Sequence, residues 1–299
     1  MPSTVRLHRE RLDRNDDQRA RLVLEIDGRW LDLSARLSDE GRADASAVEL
    51  LAEGYFGRAA LERELTRGKW RECAAPRERL VPIEPARVGK ILALGKNFRE
   101  HAAEFGEAVP EEPLVFNKLP ECLRADGETV AVPSWYTARF DHEAELAVVI
   151  GRAGREIDEA RALEHVAGYT VANDLTARTL QGQDRNLKYP WFRSKNFEGS
   201  CPLGPCLAPR EWLDLADLEV TGRVLHKDGR EEARQRASTK DLIVTVPQAI
   251  AWLSRQFPLR SGDLILMGTP AGVGPLVDGD VSICAIAGIG ELRTPLKRA

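Results

Sequence analysis

The chain has 299 residues, of which 43% are hydrophobic and 30% charged, and its formal net charge is −4. This composition can fill a sizeable core, while the interspersed charges argue against nucleic acid or an anionic membrane as a partner. No apolar run approaches the roughly 20 residues of a membrane span, and the N-terminus has no apolar signal segment. We therefore expect a soluble cytoplasmic protein with neither a nucleic-acid nor a membrane partner.

The first part of the chain, up to the prolines near residue 85, is rich in charge. Two short apolar runs flank an Asp27-Gly28 turn, which predicts a β-hairpin. Apart from His8, this part contains none of the usual catalytic residue types in a suggestive grouping. We interpret residues 1–85 as a small N-terminal accessory domain and residues 86–299 as the main domain. The elements predicted here are strands at residues 21–26 and 29–33 and short helices at residues 45–52 and 59–65.

Beyond residue 85, many short apolar runs are separated by Gly and Pro, a pattern typical of a β-rich sandwich or barrel-like core. Helices are fewer, and Pro247 fits the first turn of one of them. We therefore predict an α+β fold that is mostly β. The predicted strands lie at residues 90–94, 114–116, 146–150, 166–171, 218–225, 263–267 and 281–286, and the predicted helices at residues 99–105, 158–165 and 245–256.

The cysteines indicate a reducing compartment. The four residues between Cys201 and Cys206 would suit a zinc pair, but the chain offers no second Cys or His pair to complete the site. Buried thiols are the favoured interpretation. The five cysteines are Cys73, Cys122, Cys201, Cys206 and Cys284.

Two carboxylates stand two residues apart at the head of an apolar run. Residues 146–150 predict a buried strand, and the two-residue period of a strand puts Glu143 and Glu145 on one face. Like charges side by side repel and are costly to desolvate. A hard divalent cation removes that cost, because Mg²⁺ and Mn²⁺ prefer carboxylate oxygens. The alternative is an edge strand whose two glutamates point to water.

A second grouping follows a predicted strand end at Gly95. A helix is predicted to begin near Asn97, and on it His101 and Glu104 are three residues apart, so their side chains can touch. A carboxylate beside an imidazole raises the pKa of the ring and fixes its tautomer, which produces a general base. The alternative is a solvated surface pair.

Two single residues and one glycine-rich segment are further candidates for binding a metal or an anion. Asp174 follows a predicted strand, where it serves either as a third metal ligand or as an Asx turn or helix cap. Lys195 stands among aromatic residues and arginine; it either binds a substrate carboxylate or enolate, or lies over the rings as a surface lysine. The glycine-rich residues 268–274 allow close backbone approach to an anion, but they lack the Lys-Ser/Thr of a phosphate loop.

These segments, in this order, resemble the fumarylacetoacetate hydrolase family, from about residue 90 to residue 296. Each motif is a modest signal alone, whereas the ordered set is highly specific. The motifs are Gly-x-Asn-Phe-x-x-His-x-x-Glu at residues 95–104, Pro-x-x-Phe-x-Lys at 113–118, Asp-x-Glu-x-Glu-Leu-Ala-Val-Val-Ile-Gly at 141–151, Ala-Gly-Tyr-Thr-Val-Ala-Asn-Asp at 167–174, Lys-x-Phe at 195–197, Cys-Pro-Leu-Gly-Pro at 201–205 and Gly-Thr-Pro-Ala-Gly-Val-Gly at 268–274.

The resemblance implies a mixed β-roll or sandwich fold, a homodimer and a bound Mg²⁺ (or Mn²⁺) ion. Phe98 and His142 stand where the family more often has tyrosine, and residues 181–190 have the loop length of the acylpyruvate-cleaving members. The residues that the resemblance implies are, for the metal, Glu143, Glu145 and Asp174; for catalysis, Lys195 together with His101 and Glu104 on a lid segment; and for substrate binding, Lys118, Arg178, Gln181 and Thr269.

The implied activity is Mg-dependent hydrolysis of a carbon–carbon bond in a 2,4-dioxo acid, an acylpyruvate or a fumarylpyruvate-like acid, with release of pyruvate, as in aromatic catabolism. In this hypothesis His101, oriented by Glu104, activates a water molecule, and Lys195 stabilises the pyruvate enolate. The same kind of site also serves oxaloacetate decarboxylation, isomerisation of 5-carboxymethyl-2-hydroxymuconate-type acids and dehydration of sugar acids. The non-enzyme alternative is a catalytically silent binding protein, and the intact site residues argue against it.

Overall fold

The computed structural model describes residues 2–13, 16–67, 69–100 and 111–298. Strands dominate these ranges, so the prediction of a mostly β, α+β fold is confirmed. The strands are β1 (Val5–Asp13), β2 (Asp16–Ile26), β3 (Arg29–Asp32), β4 (Ile91–Gly95), β5 (Leu114–Lys118), β6 (Leu123–Arg124), β7 (Val130–Val132), β8 (Phe140–His142), β9 (Ala144–Ile150), β10 (Val166–Asn173), β11 (Thr176–Ala177), β12 (Cys201–Pro209), β13 (Glu219–Leu225), β14 (Glu231–Ser238), β15 (Leu264–Leu266), β16 (Gly274–Pro275), β17 (Val281–Ile286) and β18 (Gly290–Arg298). The α-helices are α1 (Leu33–Asp39), α2 (Ala47–Ala52), α3 (Arg58–Arg67), α4 (Arg178–Asn186), α5 (Phe192–Lys195) and α6 (Val246–Gln256).

The described strands form three sheets. The largest has the order β3-β2-β1-β12-β10-β9-β15-β4-β5, with β6 beside β12. A five-stranded sheet has the order β14-β13-β17-β18-β7, and a three-stranded sheet has the order β11-β8-β16. Strand β9 pairs antiparallel with β10, and Glu145 lies opposite Ala172 in that register. The start of β9 and the end of β10 therefore meet at one edge of the sheet.

The apolar run of β9 forms the centre of the molecule because both of its faces are covered. Ala147 and Val149 pack into one hydrophobic cluster, and Leu146 and Val148 into a second cluster on the opposite face. All seven residues of the strand are buried. Full burial of a Val or Leu side chain contributes about 1.5–3 kcal/mol, so a charge at Val148 would break this packing.

Helix α6 covers the second cluster. Thr245 and Gln248 form a reciprocal capping box at its start, and Pro247 occupies the first turn, where its missing N–H costs nothing. Ile250 and Leu253 on its buried face pack against the large sheet. The helix predicted at residues 245–256 is therefore confirmed.

The N-terminal strands extend the large sheet. Strand β1 pairs with β12, with Leu7 opposite Leu207, and Leu7 shares a hydrophobic cluster with Ile91 and Ala147. The hairpin predicted around Asp27 is confirmed, with β2 and β3 as its strands. The domain boundary near residue 85 stays a prediction. Strands from both sides of that point belong to one continuous sheet.

Other elements differ from the expectation. The loop expected at residues 181–190 is wrong in its first half, because α4 continues to Asn186. Residues 158–165 form a 3₁₀ helix at Glu159–His165 rather than an α-helix. The helix predicted at residues 99–105 falls mostly outside the described residues. Within the described ranges, no helix combines the length and the apolar character needed to cross a membrane.

The prediction that the cysteines are buried free thiols is confirmed for four of the five. All five cysteines are free, and four of them are buried, including Cys201 and Cys206. Burial raises the pKa of the Cys206 thiol to about 12, which keeps it protonated at neutral pH. Cys73 is only partly buried.

Candidate active site

Three carboxylates meet at the edge where β9 begins and β10 ends. Glu143 lies in the break between β8 and β9, Glu145 is the second residue of β9, and Asp174 directly follows β10. The Asp174 N–H donates to the Glu143 carbonyl at 2.9 Å, which joins the two strand ends. One ligand oxygen of each carboxylate lies within 4.8 Å of the others. The structure therefore brings the three predicted metal ligands together.

The protein fixes one oxygen of each carboxylate and leaves the other facing the cluster. A single cation, the ammonium of Lys195, bridges two of the remaining oxygens, Glu143 Oε2 at 2.7 Å and Asp174 Oδ2 at 2.5 Å. These contacts orient the carboxylates toward a common point. The fixing bonds run from Arg178 to Glu143 Oε1, from Lys118 Nζ to Asp174 Oδ1 (2.7 Å) and from the Gly268 N–H to Glu145 Oε2 (2.8 Å).

The burial of this cluster makes its negative charge costly. All three carboxylates are buried, and desolvation, with the charges of Asp174 and Glu143, raises the pKa of Glu145 well above its usual range. A divalent cation bound by these carboxylates would remove that repulsion. Buried carboxylates are the hard donors that Mg²⁺ and Mn²⁺ prefer, so the residues present fit such an ion.

Lys195 and Lys118 supply the positive charge beside the carboxylates. Helix α5 ends at Lys195, whose ammonium lies 4.9 Å from the ring centroid of Phe116. Lys118 ends β5 and also donates to the Lys195 carbonyl, which accepts a second bond from Ser200 Oγ at 2.9 Å. Burial alone would lower the pKa of Lys118, but the Asp174 carboxylate more than offsets this and raises it.

A cavity of about 180 Å³ opens beside the carboxylates. Three predicted substrate-binding residues, Arg178, Gln181 and Thr269, line it, as do Glu143, Glu145 and Lys195. The fourth, Lys118, lies fully buried against Asp174 rather than on the cavity wall, so its role with substrate stays a prediction. The other described residues of the wall are Leu94, Gly95, Lys96, Phe116, Gly182, Arg185 and Trp191.

Arg178 is fixed at the inner end of the cavity by several partners. Its Nε donates to Asp141 Oδ2 at 2.8 Å and its Nη1 to Gln181 Oε1 at 2.6 Å, in addition to the bond to Glu143. Burial would lower the pKa of Arg178, but Glu143 and Asp141 raise it, so the guanidinium stays charged. Arg139 binds the same Asp141 carboxylate at 2.8 and 2.9 Å.

The glycine-rich loop contributes Thr269 to the cavity wall, and its backbone approaches other chain segments closely. Gly268 has φ +87°, and a Cβ there would lie 2.8 Å from Asn97 Cβ. Gln235 Nε2 donates to Thr269 Oγ1 at 2.7 Å, while Gln235 Oε1 accepts from the Ala144 N–H at 3.0 Å. Gln235 thus ties the loop to β9. Sequence reasoning missed it, since a single glutamine in the charged β14 carries no signal.

Two further predictions concern histidines. His101 and Glu104 lie outside the described residues, so their pairing stays a prediction. His142 is fully buried next to Glu143, and neither of its ring nitrogens has a hydrogen-bond partner among the described residues. Burial, followed by the nearby charge of Arg234, lowers the pKa of His142 to about 4, so the ring is neutral at neutral pH.

A buried three-carboxylate cluster beside a lysine, opening into a cavity of a mostly β fold, defines an enzyme site suited to a divalent metal. The family model for the fumarylacetoacetate (FAA) hydrolase C-terminal domain matches residues 90–297. The chain therefore belongs to the fumarylacetoacetate hydrolase family, and it is an enzyme of that family.

Named relatives differ in the reaction that they catalyse. The mitochondrial oxaloacetate tautomerase of Bos taurus is 35% identical over 208 residues, which cover 70% of this chain and 91% of the relative. A fumarylpyruvate hydrolase from Pseudomonas aeruginosa, solved with Mn²⁺ and pyruvate, is 37% identical with a TM-score of 0.65, and the match covers 71% of this chain and 91% of that one. A fumarylacetoacetate hydrolase from Exiguobacterium antarcticum is 31% identical with a TM-score of 0.80, over 99% of this chain and all of the other.

Proposed function

We propose that this chain is a Mg²⁺- or Mn²⁺-dependent hydrolase that cleaves a carbon–carbon bond in a 2,4-dioxo acid, an acylpyruvate or fumarylpyruvate-like acid, and releases pyruvate. The observation that carries the proposal is the buried cluster of Glu143, Glu145 and Asp174 with Lys195 at the wall of the cavity. The Pseudomonas aeruginosa neighbour, with Mn²⁺ and pyruvate in its structure, supports both the metal and the pyruvoyl end of the substrate.

The three carboxylates would hold the ion, with one oxygen of each already fixed by the protein. When bound, a divalent ion supplies a Lewis acid for the carboxylate and 2-oxo oxygens of a 2-oxo acid. Lys195 holds its positive charge beside that point and stabilises the negative charge that develops on the enolate of pyruvate. Because the lysine is buried and paired, this stabilisation requires little reorganisation.

His101 and Glu104 complete the proposed reaction. His101, oriented by Glu104, takes a proton from the water that attacks the distal carbonyl, and the bond between that carbonyl carbon and the pyruvate methylene breaks. The electron pair of that bond passes to the pyruvate enolate, which is then protonated. Arg178, Gln181 and Thr269, which line the cavity, hold the substrate there.

A second candidate is enolisation of oxaloacetate, as tautomerisation or decarboxylation. The Bos taurus relative, named as an oxaloacetate tautomerase, favours it. The same lysine and carboxylates would stabilise the enolate of oxaloacetate, and no attacking water is needed. The two candidates therefore differ in whether His101 must activate water.

Turnover by the purified chain with Mg²⁺ separates these candidates. We expect acetylpyruvate or fumarylpyruvate to be hydrolysed, with pyruvate as a product, and activity to disappear with a chelator. His101→Ala should abolish hydrolysis and leave metal binding nearly intact, whereas His165→Ala, away from the cavity, should change neither. Turnover of oxaloacetate alone, with acylpyruvates inert, would select the second candidate. A 2-keto-3-deoxy acid and a hydroxymuconate-type acid complete the panel.

The chain also has features of a cytoplasmic homodimer, which we include in the proposal. Five free thiols suit a reducing compartment. Large apolar side chains are exposed close together after α4, at Leu187, Tyr189 and Phe192, and such clustering is typical of protein interfaces. Light scattering coupled to gel filtration should give twice the mass of the 33.2 kDa chain; a monomer at micromolar concentration would contradict the dimer.

A further inference from the structure

A second groove lies on the opposite face of the large sheet from the three carboxylates. Leu146 directly follows Glu145 in β9, so their side chains point to opposite faces of the strand. Leu146 and Tyr169 line the groove from the sheet, and the first residues of helix α6 also line it. Its volume is about 430 Å³, against about 180 Å³ for the cavity beside the carboxylates. The proposed reaction makes no use of this space.

The wall of the groove is mainly apolar. Leu213, Leu215 and Leu242 pack against the second hydrophobic cluster but are only partly buried, and all three line the groove. An apolar ligand that covers such side chains removes apolar surface from water, which favours binding. Ligand sites typically combine an apolar wall with a few placed polar groups. The groove therefore suits the apolar body of a small molecule.

Tyr169 supplies a polar group that the fold itself does not use. The residue is 1% exposed, and its ring belongs to the second hydrophobic cluster. A buried tyrosine hydroxyl usually has a hydrogen-bond partner, but the hydroxyl of Tyr169 has none within the part of the chain that the structure describes. The oxygen stays accessible from the groove that Tyr169 lines. A ligand that accepts from this hydroxyl therefore gains a hydrogen bond without breaking one inside the protein.

The groups around this hydroxyl favour an anion. Helix α6 is 11 residues long, and its N-cap Thr245 and first residues Val246 and Pro247 line the groove, so the positive end of the helix dipole lies there. Burial raises the pKa of Tyr169, and the charge of Arg210 acts in the opposite direction. Arg210 also lines the groove, so a guanidinium lies near the hydroxyl.

Arg210 keeps donors for a ligand in addition to its contacts within the protein. Its Nη1 donates to the Leu163 carbonyl at 2.5 Å, and its Nη2 is 4.0 Å from Glu211, beyond hydrogen-bond distance. A guanidinium has five N–H donors, so this arrangement leaves several of them for another acceptor. The other two charged side chains of the described wall, Lys240 and Asp214, each have a partner of their own.

We propose that this groove is a second binding site, which takes a small monocarboxylate with an apolar body, of the aryl-alkanoate class. The carboxylate accepts a hydrogen bond from the Tyr169 hydroxyl, close to Arg210 and to the start of α6. The apolar body lies against Leu213, Leu215 and Leu242. The inference is independent of the proposed function, because none of these residues lines the cavity beside the three carboxylates.

Calorimetric titration of the chain with three matched compounds tests the proposal. 3-Phenylpropanoate has both features of the ligand, 3-phenylpropanamide lacks the charge, and propanoate lacks the apolar body. We expect 3-phenylpropanoate to bind roughly tenfold tighter or more than either of the other two. Its affinity should stay the same when excess Mg²⁺ and pyruvate are present, since these occupy the other cavity.

Tyr169→Phe keeps the buried ring and removes the hydroxyl. It should weaken the binding of 3-phenylpropanoate about tenfold or more, because a hydrogen bond to a charged group is lost. It should leave the urea midpoint of the ligand-free chain nearly unchanged, which a structural role of the hydroxyl would not. Arg210→Gln should also weaken binding. Tyr189→Phe and Arg236→Gln are the matched controls, since both side chains are exposed and lie outside the groove, and they should bind the probe as the wild type does.

Three results would overturn the second site: no binding of 3-phenylpropanoate at millimolar concentration, equal affinity for its amide, or unchanged affinity in Tyr169→Phe. Binding that disappeared with Mg²⁺ and pyruvate present would assign the probe to the other cavity and would overturn the site as well. If pyruvate itself did not bind, the proposed function alone would be contradicted, and Tyr169→Phe would still test the groove.

Discussion

Replacing Lys118 with methionine removes one buried charge while nearly conserving side-chain volume. The ammonium of Lys118 is fully buried and donates to Asp174 Oδ1 and to the Lys195 carbonyl. That carbonyl keeps its bond from Ser200 Oγ, so the main loss falls on Asp174. Breaking one side of a buried ion pair costs about 3–5 kcal/mol. Because Lys195 still binds the other oxygen of Asp174, we expect the lower end, about 3 kcal/mol.

Urea unfolding of the metal-free protein measures this change. Lys240→Met is the matched control, because the Lys240 side chain is 59% exposed and its ammonium lies 3.5 Å from Asp217, a surface ion pair that contributes little to stability. Mg²⁺ should restore part of the stability of Lys118→Met, since the ion supplies positive charge beside Asp174. If Lys118→Met were within about 1 kcal/mol of the control, our account of the charges beneath the site would be wrong.

Three further predictions concern charge at the site. The pKa of His142 is about 4 in the folded chain against 6.5 in the unfolded chain, so the unfolded chain takes up the proton first as pH falls. This ring alone should therefore reduce the free energy of unfolding of the wild type by roughly 3 kcal/mol between pH 6.5 and 4. His142→Phe should lose less in urea unfolding over that range, and an identical pH profile would refute the assignment. The raised pKa of Glu145 means that Mg²⁺ must displace a proton where that carboxyl is protonated, so affinity should rise with pH, by at most about tenfold per unit. Calorimetry in buffers of different ionisation enthalpy should detect the released proton, and its absence would count against the raised pKa. Lys195→Met should lower kcat about 100-fold or more while pyruvate still binds, and unchanged kcat would remove the lysine from the enolate step.

The buried strands could be predicted because their burial leaves a direct mark on the sequence. Strands β9 and β10 are covered on both faces and are nearly continuous apolar runs. Strand β12 escaped prediction, since three prolines argue against a central strand. The structure accommodates them partly through a shift in register between Tyr169 and Val171 of β10. Strand β14 was missed because it is an edge strand whose charged side chains mostly face solvent.

The sequence predicted the three carboxylates of the candidate site but not the hydrogen bonds and ion pairs that fix them. The two-residue period of a strand put Glu143 and Glu145 on one face. The position of Asp174 at a strand end left a metal ligand and an Asx turn or helix cap both open, and the family resemblance favoured the ligand. The bonds that fix the cluster link residues distant in sequence, such as Arg178 to Asp141, and no local pattern reports such pairs.

The central claim is that Glu143, Glu145 and Asp174 together bind one divalent ion. Titration of the metal-free chain with Mn²⁺, followed by electron paramagnetic resonance of the free ion, measures it directly. We predict one Mn²⁺ per chain, displaced by excess Mg²⁺, and an affinity at least about 100-fold weaker in Glu145→Gln. Glu219→Gln, a half-exposed glutamate outside the cavity, should bind as the wild type does. Unchanged Mn²⁺ affinity in Glu145→Gln, or no binding by the wild type, would contradict the claim.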